Sequence, residues 1–268
     1  MKQGQLEIQQ IIDNYPENIE EISIACLQLS VFPDLSRFKS LKKLNCCHNK
    51  FSFLPPLIET LEYLDCSHNY LESLPPLNGS LKYLICSGNK LSMLPSLNGS
   101  LKVLECNNNK LSMLPCLNSS LYNLNCSHNY LESLPSLNSS LLYLICDNNQ
   151  LNILPSLNDS LGILNCNNNK LSVLPTLNDS LGELYCEKNQ LSFLPPLNNN
   201  LYILNCANNH LSVLPQLNDS LEHLYCNDNN LNNLPSLKNV RYLNYDGNYI
   251  SKIIDENILS LYSISLNF

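Results

Sequence analysis

The chain has 268 residues, 44% of them apolar, so it can bury a substantial core and is too apolar for a disordered tail. Charged residues are only 14%, and 43 asparagines fill the gap, while Gly numbers 7 and Trp is absent. Lys plus Arg is 15 against Asp plus Glu 23, a net charge of −8 that excludes the positive field a phosphate backbone needs, and no stretch approaches the roughly 18 apolar residues of a bilayer span.

At the N-terminus no apolar run has the length of a signal-peptide core, which points to the cytosol. Leu6, Ile8, Ile11, Ile12 and Tyr15 include an i, i+3, i+4, i+7 set that stops at Pro16. They predict a short amphipathic helix over residues 1–18, capping whatever follows. Residues 19–40 follow as an irregular segment with Ile19, Ile22, Ile24, Leu29, Phe32-Pro33 and Leu35 at apolar positions and Leu27 where later segments carry Asn.

From Leu41 a 20-residue unit is iterated, with Leu-Pro at Leu54, Leu74, Leu94 and onward to Leu234. Cys recurs from Cys46 to Cys226 and Asn from Asn49 to Asn229 in the same phase. The unit reads L-x-x-L-x-C-x-x-N-x-L-x-x-L-P-x-L-N-x-S, and its positions are numbered 1 to 20 below. Leu at 4 and Cys at 6 alternate with polar or aromatic residues, the period-2 mark of a strand buried on one face. Asn at 9 stands where the chain turns away, able to donate to and accept from backbone groups there. The second half is short and carries Pro, which predicts an extended return.

One such coil cannot bury its leucines, but a stack can, with parallel strands about 4.8 Å apart and six inward positions per coil. About twelve coils fit residues 19–258. In the last, Val240, Leu243, Tyr245, Asn248, Ile250 and Ile253 keep the pattern, and Leu259–Phe268 alternates as a strand closing the stack. Because strands pack closely while returns can spread, the stack should curve with its strands on the concave face.

The inward cysteines lie one strand apart in a line. They neither converge tetrahedrally for zinc nor aim their Cβ bonds for disulfides, so they read as core filler in a reducing compartment. Seven coils carry an Asn-x-Ser triplet at positions 18 to 20, from Asn78-Gly79-Ser80 to Asn218-Asp219-Ser220; these match glycosylation acceptors but fall at the turn re-entering each strand, where these residues bond the backbone. Cys47, His48 and His68 share a corner with no fourth metal ligand and read as solvated turn residues. No nucleophile elbow, zinc-protease helix or phosphate-cradling glycine loop is present, so neither catalysis nor a cofactor is expected.

The unit resembles a leucine-rich repeat, whose strand segment is L-x-x-L-x-L-x-x-N/C-x-L. Its length, its Leu-Pro and its x-S-L entry resemble the short repeats of bacterial type III secreted effectors. There a Pro usually stands where this chain has Asn78 and its counterparts, and Val or Leu where it has Cys. The Asn-rich flavour also resembles repeat proteins of giant amoebal viruses. The resemblance implies a curved right-handed horseshoe solenoid over about residues 19–258, a parallel sheet on its concave face and a non-catalytic protein-binding role.

Binding would fall on strand side chains pointing off that platform. The candidates are Tyr63, Asp65, Tyr83, Ile85, Glu105, Tyr143, Ile145, Glu183, Tyr185, His223 and Tyr225. A monomer in the cytosol, the host cytosol included, that binds a protein and neither nucleic acid nor membrane is expected. One alternative is an adaptor recruiting ubiquitination or kinase components of a host. Another is a recently duplicated repeat chain under little functional constraint.

Overall fold

Leu at position 4 lies at the centre of a three-residue strand in every regular coil, because an alternating segment that short can bury only its middle side chain. The computed structural model describes residues 3–250. They fall into two units that divide between Leu131 and Glu132. The first holds α1 (Gln3–Asp13), β1 (Glu21–Ser23), β2 (Lys43–Asn45), β3 (Tyr63–Asp65), β4 (Tyr83–Ile85), β5 (Val103–Glu105) and β6 (Asn123–Asn125). The second holds β7 (Tyr143–Ile145), β8 (Ile163–Asn165), β9 (Glu183–Tyr185), β10 (Ile203–Asn205), β11 (His223–Tyr225) and β12 (Tyr242–Asn244). Within each unit neighbouring strands are parallel and in chain order, with like positions opposite: Leu44 faces Leu64 and Leu64 faces Leu84, and Leu184 faces Leu204.

The Leu side chains at positions 1, 4 and 11 and the Cys at position 6 are sealed from solvent almost throughout. Burial of each Leu is worth about 1.5–3 kcal/mol before the entropy of ordering the coil is charged. Six inward positions were expected, but the leucine at 17 is only half-buried in most coils, and that at 14 is half-buried in five of the ten regular coils. The return is extended and carries no helix, so it runs along the outside of the stack and shields these two leucines on one side only.

What fixes each coil to the next is the Asn at position 9. Asn109 Nδ2 donates to the carbonyls of Cys106 (3.1 Å), of Asn107 (3.3 Å) and, one coil back, of Cys86 (3.0 Å). Its Oδ1 accepts from the amide of Leu91 at 3.0 Å. Asn69, Asn89 and Asn129 repeat this geometry in the first unit, and Asn169, Asn189, Asn209 and Asn229 repeat it in the second. A second ladder runs through position 18. Asn78 Nδ2 donates to Leu61 O at 3.0 Å and to Ile58 O, and Asn98 Nδ2 donates to Leu81 O at 3.0 Å and to Asn78 O. The side-chain nitrogens that a glycan would need at these triplets are thus bonded to the backbone, reaching to the preceding coil rather than only locally.

Position 8 is left-handed throughout the regular coils, from His48 (φ 52°) and His68 (φ 52°) through Asn108 (φ 55°) to Asp228 (φ 53°). That region favours Gly, Asn, Asp and His, which occupy it everywhere but at Lys188. Gly88 is required for space as well. A Cβ there would stand 2.7 Å from His68 Nδ1, and the His68 ring stacks on His48 with centroids 4.3 Å apart and planes 9° from parallel. Gly88→Ala should cost about 1–2 kcal/mol, the usual penalty of a left-handed side chain. It should also remove the ring-current shift between the two imidazoles in proton NMR; an unchanged shift would show that the stack does not depend on Gly88.

The N-terminal helix is present and is pinned at its C-terminal end, where the carbonyls lack intrahelical partners. Arg37 Nη2 donates to Asp13 O at 2.7 Å and to Tyr15 O, a cation placed at the negative end of the helix dipole. Gln9 Oε1 accepts from Asp34 N at 2.8 Å. Ile12 is buried, but Ile11 and Tyr15 face solvent, so the apolar face is narrower than the sequence pattern suggests. Leu27 is exposed as well, because Cys26 (φ 60°) and Gln28 (φ 58°) turn the chain on either side of it. The ladder bypasses it, and Asn49 Oδ1 accepts directly from Leu29 N at 2.9 Å. At the other end Asn248 bonds Cys226 O and Leu231 N at 2.9 Å each, holding the last coil in register. Ile253 and the closing strand expected over 259–268 lie outside the described residues.

Candidate functional site

Because each strand buries only its middle residue, positions 3 and 5 stand off the sheet as two parallel rows. In-register pairing sets each of these side chains against its counterpart one strand away, so most are half-buried rather than free. In the first unit Tyr63 and Tyr83 meet as a tilted pair, ring centroids 6.2 Å apart and planes at 40°. Both line a cleft of about 430 Å³ together with Glu20, Glu21, Lys42, Lys43 and Glu62. Charges of opposite sign are paired around it, Lys42 with Glu20 at 2.6 Å, Lys82 with Glu62 at 2.7 Å and Lys43 with Glu21 at 3.7 Å. These pairs are exposed, worth under about 1 kcal/mol each, and orient the rim more than they hold the fold.

Asp65 plays a double part. Its Oδ1 accepts from Ser67 N at 3.0 Å and Ser67 Oγ at 2.6 Å, ending strand β3, as Asn45, Asn125, Asn165 and Asn205 end theirs. Burial, followed by the Asp65 charge, pushes the Tyr63 hydroxyl above its ordinary range. Ile85 lies between Asp65 and Glu105 in register, an apolar side chain flanked by two carboxylates.

In the second unit Tyr143 is 40% exposed, the most open of the candidate tyrosines. Ile145 beside it is half-buried. Glu183 accepts from the Tyr185 hydroxyl at 2.8 Å and from the Tyr202 hydroxyl. Burial and then the carboxylate raise the Tyr185 hydroxyl, and the bond to Glu183 followed by burial takes Tyr202 up to about 12. His223 stacks on Tyr242, centroids 4.4 Å apart and planes 11° from parallel, with Tyr225 half-buried on the same strand.

The structure therefore gathers Tyr63, Tyr83 and Asp65 in one cluster and Glu183 with Tyr185 in another. Tyr202 and Tyr242 belong with these groups and were not among the candidates from sequence. The signal for Tyr202 lay in position 2, where Gly182 leaves the space its ring fills: a Cβ on Gly182 would stand 2.7 Å from Tyr202 Cε1. His48 and His68 stack face to face instead of converging on a point, and Cys47 beside them has its thiol raised by burial and then by Asp65. No group of three or more His, Cys, Asp or Glu side chains that could hold a metal occurs among the described residues. No helix among them is long and apolar enough to cross a membrane.

No protein-family model matches the chain, and no curated protein sequence matches it. Among solved structures it is similar to YopM, a leucine-rich effector protein from Yersinia pestis, with a TM-score of 0.80 and 36% identity over 85% of this chain and 66% of that one. YopM from Yersinia enterocolitica gives a TM-score of 0.72 and 34% identity over 81% of this chain and 52% of that one. A Shigella effector leucine-rich repeat domain gives 0.54 and 30% identity over 63% and 75%. The chain thus spans about two thirds of the first YopM and about half of the second.

Proposed function

We propose that this chain, which belongs to the leucine-rich repeat proteins, is a non-catalytic module that binds a protein partner on the strand faces of its units. The observation that carries the proposal is the tilted Tyr63–Tyr83 pair lining an open cleft of about 430 Å³ on a strand face. Tyrosine supplies wide contact area with two rotatable bonds and a polar tip, and it dominates the energetics of many interfaces. In-register pairing holds these rings in place before a partner arrives, which lowers the entropy lost on binding.

The face also has a sign. Asp65 and Glu105 flank Ile85 in the first unit, and Glu183, Asp147 and Glu187 stand on or beside the strands of the second. The partner surface that complements it is basic, and its association should slow as salt rises. Affinity purification from a reducing lysate, followed by titration of the recovered partner, tests this. Changing Tyr63, Tyr83, Tyr143, Tyr185 and Tyr225 together to Ser should weaken binding at least ~30-fold, as loss of interface hot spots does. Unchanged affinity in a variant that still unfolds cooperatively would place the site elsewhere.

A second proposal follows from the similar proteins, two of which are described as effectors. In it the chain acts as a monomer in a host cytosol, recruiting components of ubiquitination or kinase signalling. Ligase or kinase subunits among the purified partners would favour it, and their absence would remove it.

A further inference from the structure

Position 13 of the repeat, which precedes the Leu of the Leu-Pro pair, is exposed in every regular coil from Phe53 to Asn233. In the first unit it presents Phe53, Met93 and Met113, exposed by 59%, 62% and 65%, with Ser73 between the first two. One exposed apolar side chain is ordinary, but recurrence at a single repeat position draws these into a line. Three residues earlier, position 10 carries Lys50, Lys90 and Lys110, with Tyr70 between the first two and Tyr130 after the last. All are exposed. Lys90 Nζ lies 4.9 Å from the centre of the Tyr70 ring, and among the described residues none of these three lysines has a carboxylate within ion-pair distance. In a chain of net charge −8 that pairs Lys42, Lys43 and Lys82 with Glu, a row of lysines without ion pairs near an apolar one stands out. In the second unit position 13 is apolar from Ile153 to Val213, with Ser133 and Asn233 on either side, but position 10 keeps only Lys170, which donates to Gln150 at 3.2 Å.

We infer that this edge of the first unit is a second docking site, separate from the strand face, for an acidic polypeptide segment that carries apolar side chains. Three observations select this occupant. The unpaired ammonium groups call for carboxylates. Phe53, Met93 and Met113 call for apolar side chains, methionine being adaptable at surfaces that accept varied sequences. Coils spaced about 4.8 Å apart spread the three lysines over roughly 15 Å, which an extended segment of about five residues covers at ~3.3 Å per residue. A bilayer fits poorly. An extended anionic lipid surface would meet the charge of the whole chain, −8, whereas a segment of about five residues meets only the local lysine row; Glu72, at position 12 between the rows, opposes both. Nothing in this site depends on the tyrosines of the strand face, so either proposal can fail without the other.

The test is selection of a random dodecapeptide display library on the immobilised full chain, followed by titration of the enriched peptides. Peptides rich in Asp or Glu together with Leu, Phe or Ile should be enriched and should weaken with salt. K50E/K90E/K110E should lower their affinity at least tenfold, and M93S/M113S should do so at unchanged charge. The Tyr63→Ser, Tyr83→Ser variant should bind them as the parent chain does. These side chains are exposed, so thermal unfolding of the edge variants should match the parent and confirm that they fold. Enrichment of basic or uncharged peptides, no enrichment, or acidic peptides that survive both edge variants would overturn the inference. So would retention of the chain by phosphatidylserine vesicles that K50E/K90E/K110E abolishes, which would make the edge a lipid contact.

Discussion

Raising the pH past about 9 should unfold the protein within roughly one pH unit. Cys46, Cys66, Cys86, Cys106, Cys166, Cys186, Cys206 and Cys226 are sealed in the core, and burial, in most of them added to by a neighbouring thiol or carboxylate, pushes each thiol upward, Cys166 and Cys226 to about 12. The unfolded chain ionises them at an ordinary thiol pKa of about 8.5. Below that value both states hold the same protons and pH has no leverage. Above it the unfolded state binds fewer, so stability falls as pH rises, by about 1.4 kcal/mol per pH unit for each thiol. Eight released together give a slope near 11 kcal/mol per unit, comparable with the whole stability of an ordinary domain. Two units opening separately would each show about half that slope.

Circular dichroism followed against pH reads the transition. Replacing Cys66, Cys86 and Cys106 with Val should move it upward and flatten it, because valine packs similarly and has no proton to lose. A gradual decline that ignores these substitutions would mean that the thiols are not sealed. The same sealing predicts that a thiol reagent at pH 8 quickly finds only Cys26, Cys47 and Cys116, which are exposed or half-buried, out of 13. The column cysteines should react only as coils open.

Asn109→Ala should destabilise the first unit by about 3 kcal/mol, read from the midpoint of urea unfolding. The carbonyls of Cys86 and Cys106 that it serves also receive Asn89 and Asn129, so each keeps one partner. Leu91 N–H has only Asn109 Oδ1, and alanine leaves that amide buried and unpaired. An orphaned buried donor costs about 1–3 kcal/mol, and the lost donor bonds add about 0.5–1.5 kcal/mol each. Asn109→Asp separates the two halves of this role. The carboxylate still accepts from Leu91 but turns negative oxygen toward the carbonyls of Cys86 and Cys106, so its proton is held more tightly in the folded chain than in the unfolded one. The stability it gives is complete below an ordinary aspartate pKa of about 3.9 and is lost as pH rises above it, leaving the variant weaker than the parent at neutral pH. A variant as stable as the parent at pH 7 would show that water replaces the ladder.

Much of this was legible in the sequence because the repeat is strict. The phase of Leu61, Leu64, Cys66 and Leu71, kept from coil to coil, fixes which side chains can be buried, and the first of the ladder asparagines, Asn49, already stands where backbone groups need partners. Where Phe51 replaces the leucine of position 11, it is buried all the same, because the slot is set by the stack and not by the residue. The candidate site was legible only in part. The strand rows could be named from alternation, but that Tyr63 reaches Tyr83 while Glu183 is taken by Tyr185 and Tyr202 depends on rotamers and on the space at Gly182. The left-handed bend at position 8 was written in its run of His, Gly, Asn and Asp. That bend lies outside the strand alternation, as does the exposed row at position 13.

By itself the sequence determined the coil, its period, its inward column of leucines and thiols, and the outward rows on its strands, because a stack of identical units must repeat one burial pattern. Only the tertiary structure decided how neighbouring coils are tied, since Asn109 acts on backbone groups of residues 86 and 91 that come near it through stacking alone. It also decided which outward side chains are spent on one another and which stay free. A single coil fixes the direction of a side chain, whereas its availability depends on the residue one strand away.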